Sequence, residues 1–321
     1  MRQHQSETRA RVDSVAILLA TYNGSKYLRA QLDSLVDQTW DNWTIYVGDD
    51  GSSDATVELL EQFQSEHPGR LTVLSGERAG GPRANFFRLL HNCPDRHEFV
   101  ALCDQDDVWH PEKLERLVDR SRVGSGHEPR LVYSDLSVVD ESLRPSAPSF
   151  LGQIRSRPSR ISFGNQLVEN AIPGCSMLLN RALMSKIRAY AGPVDSVLMH
   201  DWWIALIATA FGETAFVDAP LVQYRQHGSN AAGSVKRSGF GFMWAKVRAR
   251  RHDGAQMATI RQAHQFRVAY GDSLPPGAVR SQLDAFCALP ERSKVERVMT
   301  CIRYGLLKQT MSRRIFQLLG V

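Results

Sequence analysis

The chain lacks most of the features that would place it at once. It has five cysteines in 321 residues, odd in number, scattered, and with no C-x-x-C pair. A disulfide-dense scaffold is therefore excluded, and the five read as free thiols of a reducing compartment. No run of about 18 uninterrupted apolar residues occurs, so no conventional transmembrane helix is expected. Residues 1–13 are polar and charged and lack the apolar core of a secretory signal. The expected location is cytoplasmic. There is no internal repeat, no G-x-G-x-x-G after the first apolar run and no G-x-x-x-x-G-K-[ST], which disfavours a dinucleotide-binding dehydrogenase and a P-loop NTPase. Hydrophobic residues at 43% and charged residues at 23% match an ordinary globular protein and exclude wholesale disorder.

The net charge of +5 hides an asymmetry. Residues 236–321 hold 16 Lys and Arg against 5 Asp and Glu, whereas the rest holds 23 against 29. A mildly acidic body thus carries a basic tail. The tail has two readings. Phe240, Phe242 and Trp244 lie among Lys246, Arg248, Arg250 and Arg251, and Leu306, Leu307, Ile315, Phe316, Leu318 and Leu319 alternate with Lys308, Arg313 and Arg314. Such helices either lie on anionic lipid or cap the body with their cations in solvent.

From residue 15 to 139, short apolar runs alternate with amphipathic stretches. Strands are expected at 15–20, 43–47, 71–74, 99–103 and 131–139, with helices at 26–36, 54–63, 83–91 and 111–120 between them. This alternation predicts an α/β fold with a mainly parallel sheet flanked by helices. Residues 140–165, rich in Pro, Ser and Arg, read as a mobile loop over a site. A strand at 175–179, helices at 181–190 and 202–211, and short strands at 215–217 and 221–224 follow. Basic helical segments occupy the remainder.

In an open parallel sheet, ligands bind beyond the carboxyl ends of the strands. Three such ends carry polar clusters: Thr21-Tyr22-Asn23-Gly24, Asp49 to Asp54, and Asp104-Gln105-Asp106-Asp107. Asp104 and Asp106 are carboxylates on alternate residues beyond a buried strand, a spacing that can share one hard divalent cation. Asp201 opens an apolar helix and reads either as a cap or as a general base. Arg225 and His227 follow a strand and offer a guanidinium and an imidazole, again with a plain structural alternative.

Taken together, these residues resemble glycosyltransferase family 2 and, within it, the bacterial rhamnosyltransferase-like branch. The matching pieces are LATYNG (19–24), Gln38-Thr39, VGDDGSSD (47–54), GPRANF (81–86), ALCDQDDVW (101–109), PGCSMLLN (173–180), HDWW (200–203) and YRQHGSN (224–230). They cover residues 14–231 in the family's order. The resemblance implies a GT-A type nucleotide-diphospho-sugar transferase fold, with a polar tail at 1–13, a catalytic domain at 14–231 and a basic helical extension at 232–321. It implies that Thr21, Tyr22 and Asp50 hold the nucleoside, that Asn23 and Arg83 line the donor pocket, and that Arg225 pairs the diphosphate. Asp104, Asp106 and His227 would hold Mg2+ or Mn2+, with Asp104 nearer the ribose and Asp107 behind them. Asp201 would be the base, preceded by His200 where many relatives carry an acid.

The implied activity is inverting transfer of a sugar, L-rhamnose from dTDP-L-rhamnose or a sugar from a UDP donor. The implied acceptor is a hydroxyl of a glycan or lipid-linked glycan in surface polysaccharide (O-antigen) synthesis. Under the lipid reading of the basic tail the protein lies peripherally on the cytoplasmic face of the inner membrane, under the other the tail only caps the body, and no nucleic acid partner is expected. The enzymatic alternatives are a nucleotidyltransferase and a D-x-D metal-dependent phosphatase. The non-enzymatic one is a basic-tailed nucleic-acid-binding module.

Overall fold

A computed structural model describes residues 13–123, 127–228 and 251–320. The expected polar tail, the boundary near 231, Ser229 and Asn230, and the aromatic-basic run at 240–250 lie outside the described residues. The elements in chain order are β1 (Val15–Thr21), α1 (Ser25–Val36), β2 (Trp43–Asp49), α2 (Thr56–Glu66), β3 (Leu71–Val73), α3 (Pro82–Asn92), β4 (Phe99–Asp104), β5 (Val108–Trp109), α4 (Lys113–Ser121) and β6 (Arg130–Val139). They continue with β7 (Pro145–Ala147), α5 (Phe150–Ile154), α6 (Phe163–Val168), β8 (Met177–Asn180), α7 (Arg181–Arg188), α8 (His200–Phe211), β9 (Glu213–Arg225), α9 (Arg251–Tyr270), α10 (Ala278–Cys287), α11 (Lys294–Arg303) and α12 (Met311–Gly320).

The sheet order is β3-β2-β1-β4-β8-β6-β9-β5, with β7 paired to β6. β1 is apolar almost throughout because it is covered on both faces. Its alternate residues enter two separate cores: Ala16 and Leu18 face the side of α3, α7 and α8, and Val15, Ile17 and Leu19 face the side of α1, α2 and α4. Each such leucine contributes roughly 1.5–3 kcal/mol by its burial.

The half β3-β2-β1-β4 is parallel, as expected from the strand–helix alternation. Beyond β4 the sheet is mixed. β8 runs antiparallel to both β4 and β6, and β5 runs antiparallel to β9. An apolar run reports burial on both faces but carries no sign of direction, so the pattern could not anticipate this reversal. β9 is one 13-residue strand rather than two short ones. Its register against β6 shifts between Ser134 and Asp135, where it absorbs extra residues before Pro220.

Residues 140–165 are not an unstructured loop. Ser149 and Ser162 cap the short helices α5 and α6. The C-terminal segment then clamps them: Gln309 Oε1 accepts from Ser156 Oγ and the Arg157 amide, and Asn165 Nδ2 donates to the Leu307 carbonyl. Composition hid this because the anchoring partners lie some 150 residues away. The helical extension also shares the main core, with Phe266 of α9 packed edge-on against Trp203 of α8 at 5.4 Å. All five cysteines are free and buried.

Candidate active site

The carboxyl ends of β1, β2 and β4 open together. Thr21, Tyr22, Asn23 and Asp50 line one cavity of about 1040 Å³, and so do Asp104, Asp106, Asp201 and His227. Neither Arg83 nor Arg225 is among its lining residues.

The β1 and β2 ends are tied to each other. Asp49 accepts from Thr21 Oγ1 at 2.8 Å and from Ser52 Oγ at 2.6 Å. Asn23, at φ 46°, accepts from the Ser53 amide at 2.8 Å, and the short amide side chain tolerates that left-handed backbone. Asp54 braces the start of α1. Burial pushes its carboxyl up, but hydrogen bonds from Thr56 and Ser25 outweigh this and hold it at about 2. Tyr22 is exposed, and its hydroxyl accepts from Arg78 Nη2 at 3.0 Å. Arg78 lines the cavity where Arg83 was expected. Arg83 instead donates to the Val197 carbonyl and pairs with Asp195, bracing the turn before α8.

Asp50 is 3% exposed, and its carboxylate is already in use. Oδ1 accepts from the amides of Ala79 and Gly80, and Oδ2 from that of Gly81 at 2.6 Å. The residue expected to read the base therefore also fixes the Gly80-Gly81 loop, whose φ values of 86° and 127° favour glycine. Asp50→Ala leaves three backbone donors without this acceptor. It is expected to cost about 1–3 kcal/mol of stability and to weaken UDP and dTDP binding together. Calorimetric titration beside thermal melts checks this, and a lowered melting temperature with unchanged affinity for both nucleotides would reduce Asp50 to a turn residue.

Gln105, between the two expected metal ligands, was passed over in the sequence because an amide carries no charge. Its side chain forms a reciprocal pair with the Tyr22 backbone at 2.9 and 3.0 Å, linking the β4 and β1 ends. Gly24 makes room for it, since a Cβ there would lie 2.0 Å from Gln105 Oε1.

The acidic cluster is crowded. Burial raises the Asp104 carboxyl to about 7, with the charges of Asp106 and Asp201 adding to the effect. Asp106 Oδ2 lies 2.7 Å from His227 Nε2. Asp107 is fully buried and accepts from the Arg225 amide at 3.0 Å, while burial drives its pKa far up. Asp104, Asp107 and the Cys175 thiol each place one ligand-type atom within 4.8 Å of the others. Arg225 donates from Nε to the Asp106 carbonyl and from Nη1 to the Glu141 carbonyl, and stacks over Tyr27. It thus fastens the Asp106–Asp107 turn to the 141 loop.

Lys113 lies beneath this turn, fully buried. Its Nζ donates to the Cys175 carbonyl at 2.7 Å and lies 3.1 Å from the centre of the Trp109 ring. Burial lowers it to about 7, against the opposing pull of Cys103, Cys175, Asp107 and Asp104. On an amphipathic helix a lysine reads as solvated, so its sequence context gave no sign of this.

Asp201 stands in the first turn of α8. Burial raises it to about 6, opposed by hydrogen bonds from Trp202, Gly174 and Asn170. His200 is 5% exposed, stacks on Phe86 at 4.1 Å, and is driven down to about 3 by burial. It stays neutral and fills space behind Gly174, so it supplies no charge beside Asp201.

The parallel half-sheet β3-β2-β1-β4 thus gathers its acidic strand ends around one cavity. The chain belongs to glycosyl transferase family 2, whose sequence profile matches residues 16–183. It is 25% identical over 223 residues to the dTDP-rhamnosyl transferase RfbG of Shigella flexneri, covering 67% of this chain and 74% of that one. It is 27% identical over 172 residues to the UDP-Glc:alpha-D-GlcNAc-diphosphoundecaprenol beta-1,3-glucosyltransferase WfgD of Escherichia coli, covering 53% of this chain and 62% of that one. Among solved structures it is similar in fold to residues 1–349 of S. aureus TarS in complex with UDP-GlcNAc. The TM-score there is 0.59 at 15% identity, covering 91% of this chain and 80% of that chain. Among the described residues, no helix is long and apolar enough to cross a membrane.

Proposed function

We propose that the protein is an inverting, metal-dependent glycosyltransferase that moves L-rhamnose from dTDP-L-rhamnose to a hydroxyl of a lipid-linked glycan in surface polysaccharide synthesis. The observation that carries the reading is one cavity holding an acidic cluster with a histidine and, within its electrostatic reach, a separate carboxylate raised to about 6. A leaving diphosphate and an acceptor hydroxyl need opposite help, and these two groups supply it. The likeness to RfbG favours the rhamnosyl donor, and the likeness to WfgD favours a lipid-diphosphate acceptor.

Crowded carboxylates beside an imidazole fit a hard divalent cation. Asp104 raised to about 7 is what such a cluster does without one. Asp106, His227 and Asp104 would hold Mg2+ or Mn2+, which when bound supplies Lewis-acid stabilisation of the charge developing on the diphosphate. Cys175 is a poor ligand for either ion, because burial holds its thiol protonated.

Thr21, Tyr22 and Asp50 position the nucleoside, with the exposed Tyr22 ring offering a stacking face. Asn23 borders the donor. Arg225 acts by fixing the turn that carries Asp106 rather than by reaching the diphosphate itself. Asp201 takes the proton from the acceptor hydroxyl. The oxygen then bonds to the anomeric carbon from the face opposite the leaving diphosphate, and the configuration inverts.

A phosphatase reading is disfavoured because its nucleophilic aspartate ends the first strand of the core, whereas Asp104 ends β4. Thermal shift with a panel of nucleotide-sugars, each with Mg2+ or Mn2+, tests the donor, since a ligand of the native state must raise the apparent melting temperature. The dTDP-L-rhamnose arm is expected to give the largest rise and transfer product. A larger rise with UDP-glucose or UDP-GlcNAc would reassign the sugar, and phosphate release without transfer would overturn the class.

A further inference from the structure

Helix α12 is built inside out for a soluble protein. Its inward side is mostly polar. Arg313 pairs with Glu169 at 3.3 Å, Arg314 Nε donates to the Lys308 carbonyl, and Gln317 bonds both the Leu306 carbonyl and the Lys308 amide. Its outward side is apolar: Met311, Ile315, Phe316 and Leu319 are all exposed, at spacings that share one helical face. The preceding helix α11 does the same with Val295, Met299 and Ile302, four and three residues apart and 54–74% exposed. Globular helices turn such stripes to the core. The sequence pattern singles out Ile315, Phe316 and Leu319 correctly, but it also takes in Leu306, which is fully buried, and Leu307 and Leu318, which pack on the core.

Charge decides what covers these stripes. Residues 292–320 hold seven Lys and Arg and one acid, Glu296. A second copy of this chain would set like charge against like, whereas an anionic bilayer offers apolar depth beneath a negative surface. Position agrees, because Arg313 of α12 also lines the candidate active-site cavity.

We propose that the outer faces of α11 and α12 dock the protein on an anionic lipid surface, with the apolar stripes at the acyl boundary and the exposed Lys294 and Arg303 among the headgroups. Docking holds the cavity mouth at headgroup level, where a lipid-linked acceptor presents its sugar. That last benefit rests on the acceptor reading above, but the docking does not.

Sedimentation of the full-length protein with vesicles tests it, comparing phosphatidylcholine alone with phosphatidylcholine containing phosphatidylglycerol. The anionic vesicles are expected to bind at least ~10-fold more protein, with binding falling as salt rises. Ile315→Glu with Phe316→Glu, both exposed and outside the catalytic machinery, should lower that binding ~10-fold. The same variant should keep the thermal shift with dTDP or UDP and keep transfer to a water-soluble acceptor, which shows that it folds. Equal recovery on both vesicle types would overturn the proposal. So would a variant that binds like the parent, or a concentration-dependent dimer that the variant abolishes. Loss of soluble transfer in the parent protein would instead count against the glycosyltransferase reading and leave the docking result standing.

Discussion

Asp201→Asn is expected to lower turnover by about 10²-fold or more while leaving donor affinity nearly unchanged. The substitution keeps one oxygen to accept from the Trp202 amide, which Asp201 Oδ1 now does at 2.7 Å. The start of α8 should therefore hold. Stability carries a sign that separates the two roles of this carboxylate. Burial raises the folded-state pKa to about 6, above the unfolded value of about 3.9. Such a group stabilises the fold when protonated, and this contribution is lost as pH rises through 4 to 6. At pH 7.5 the buried charge is a net cost, and its field also falls on Asp104. The asparagine variant should thus melt at the same temperature or higher while losing activity. In the parent protein, kcat/KM should fall below about pH 6, and the variant should lose this acid limb. Were Asp201 only a helix cap, turnover would survive, and more than about a tenth of parental turnover at saturating acceptor would remove it as the base.

Most of the frame was legible because it is written locally. VAILLA at 15–20 and FVALC at 99–103 have the length and apolar character of strands covered on both faces, and each ends in a polar cluster. In a parallel half-sheet those ends must face one cleft, so Thr21, Asp50 and Asp104 were placed together before any coordinates. Legibility stopped where a residue's partner is distant in the chain. Arg83 sits at the right helix start but turns to Asp195 and Val197, leaving the cavity to Arg78, whose loop has no pattern. The structural role of Arg225 was not legible either, since its Nε and Nη1 donate to the carbonyls of Asp106 and Glu141, the second 84 residues away. Lys113 is buried because Trp109 and Cys175 enclose it, a tertiary fact that helical spacing does not encode.

Removing Asp106 tests the acidic cluster most directly. Asp106→Ala takes away the partner of His227 Nε2 but leaves the turn intact, because Arg225 Nε holds the Asp106 backbone carbonyl and the Arg225 amide is held by Asp107. The fold should therefore survive. The protein without metal should also be at least as stable as the parent, since Asp106 is the largest neighbouring charge opposing ionisation of Asp104 and of Asp107. What should disappear is the response to metal. In the parent, Mn2+ together with UDP or dTDP is expected to raise the melting temperature more than either alone, and in the variant that synergy should vanish. Turnover should fall by about 10³-fold, the scale of losing roughly 4 kcal/mol of stabilisation for the leaving diphosphate. His227→Ala should reproduce the same pattern more weakly, because both expected carboxylate ligands, Asp104 and Asp106, remain. Titration of Mn2+ followed by electron paramagnetic resonance, beside melts and single-turnover rates, reads all three quantities. Full parental activity in excess EDTA, with metal removal verified, would show that Asp104, Asp106 and His227 do not act through a cation. The crowding of their charges would then need a proton instead.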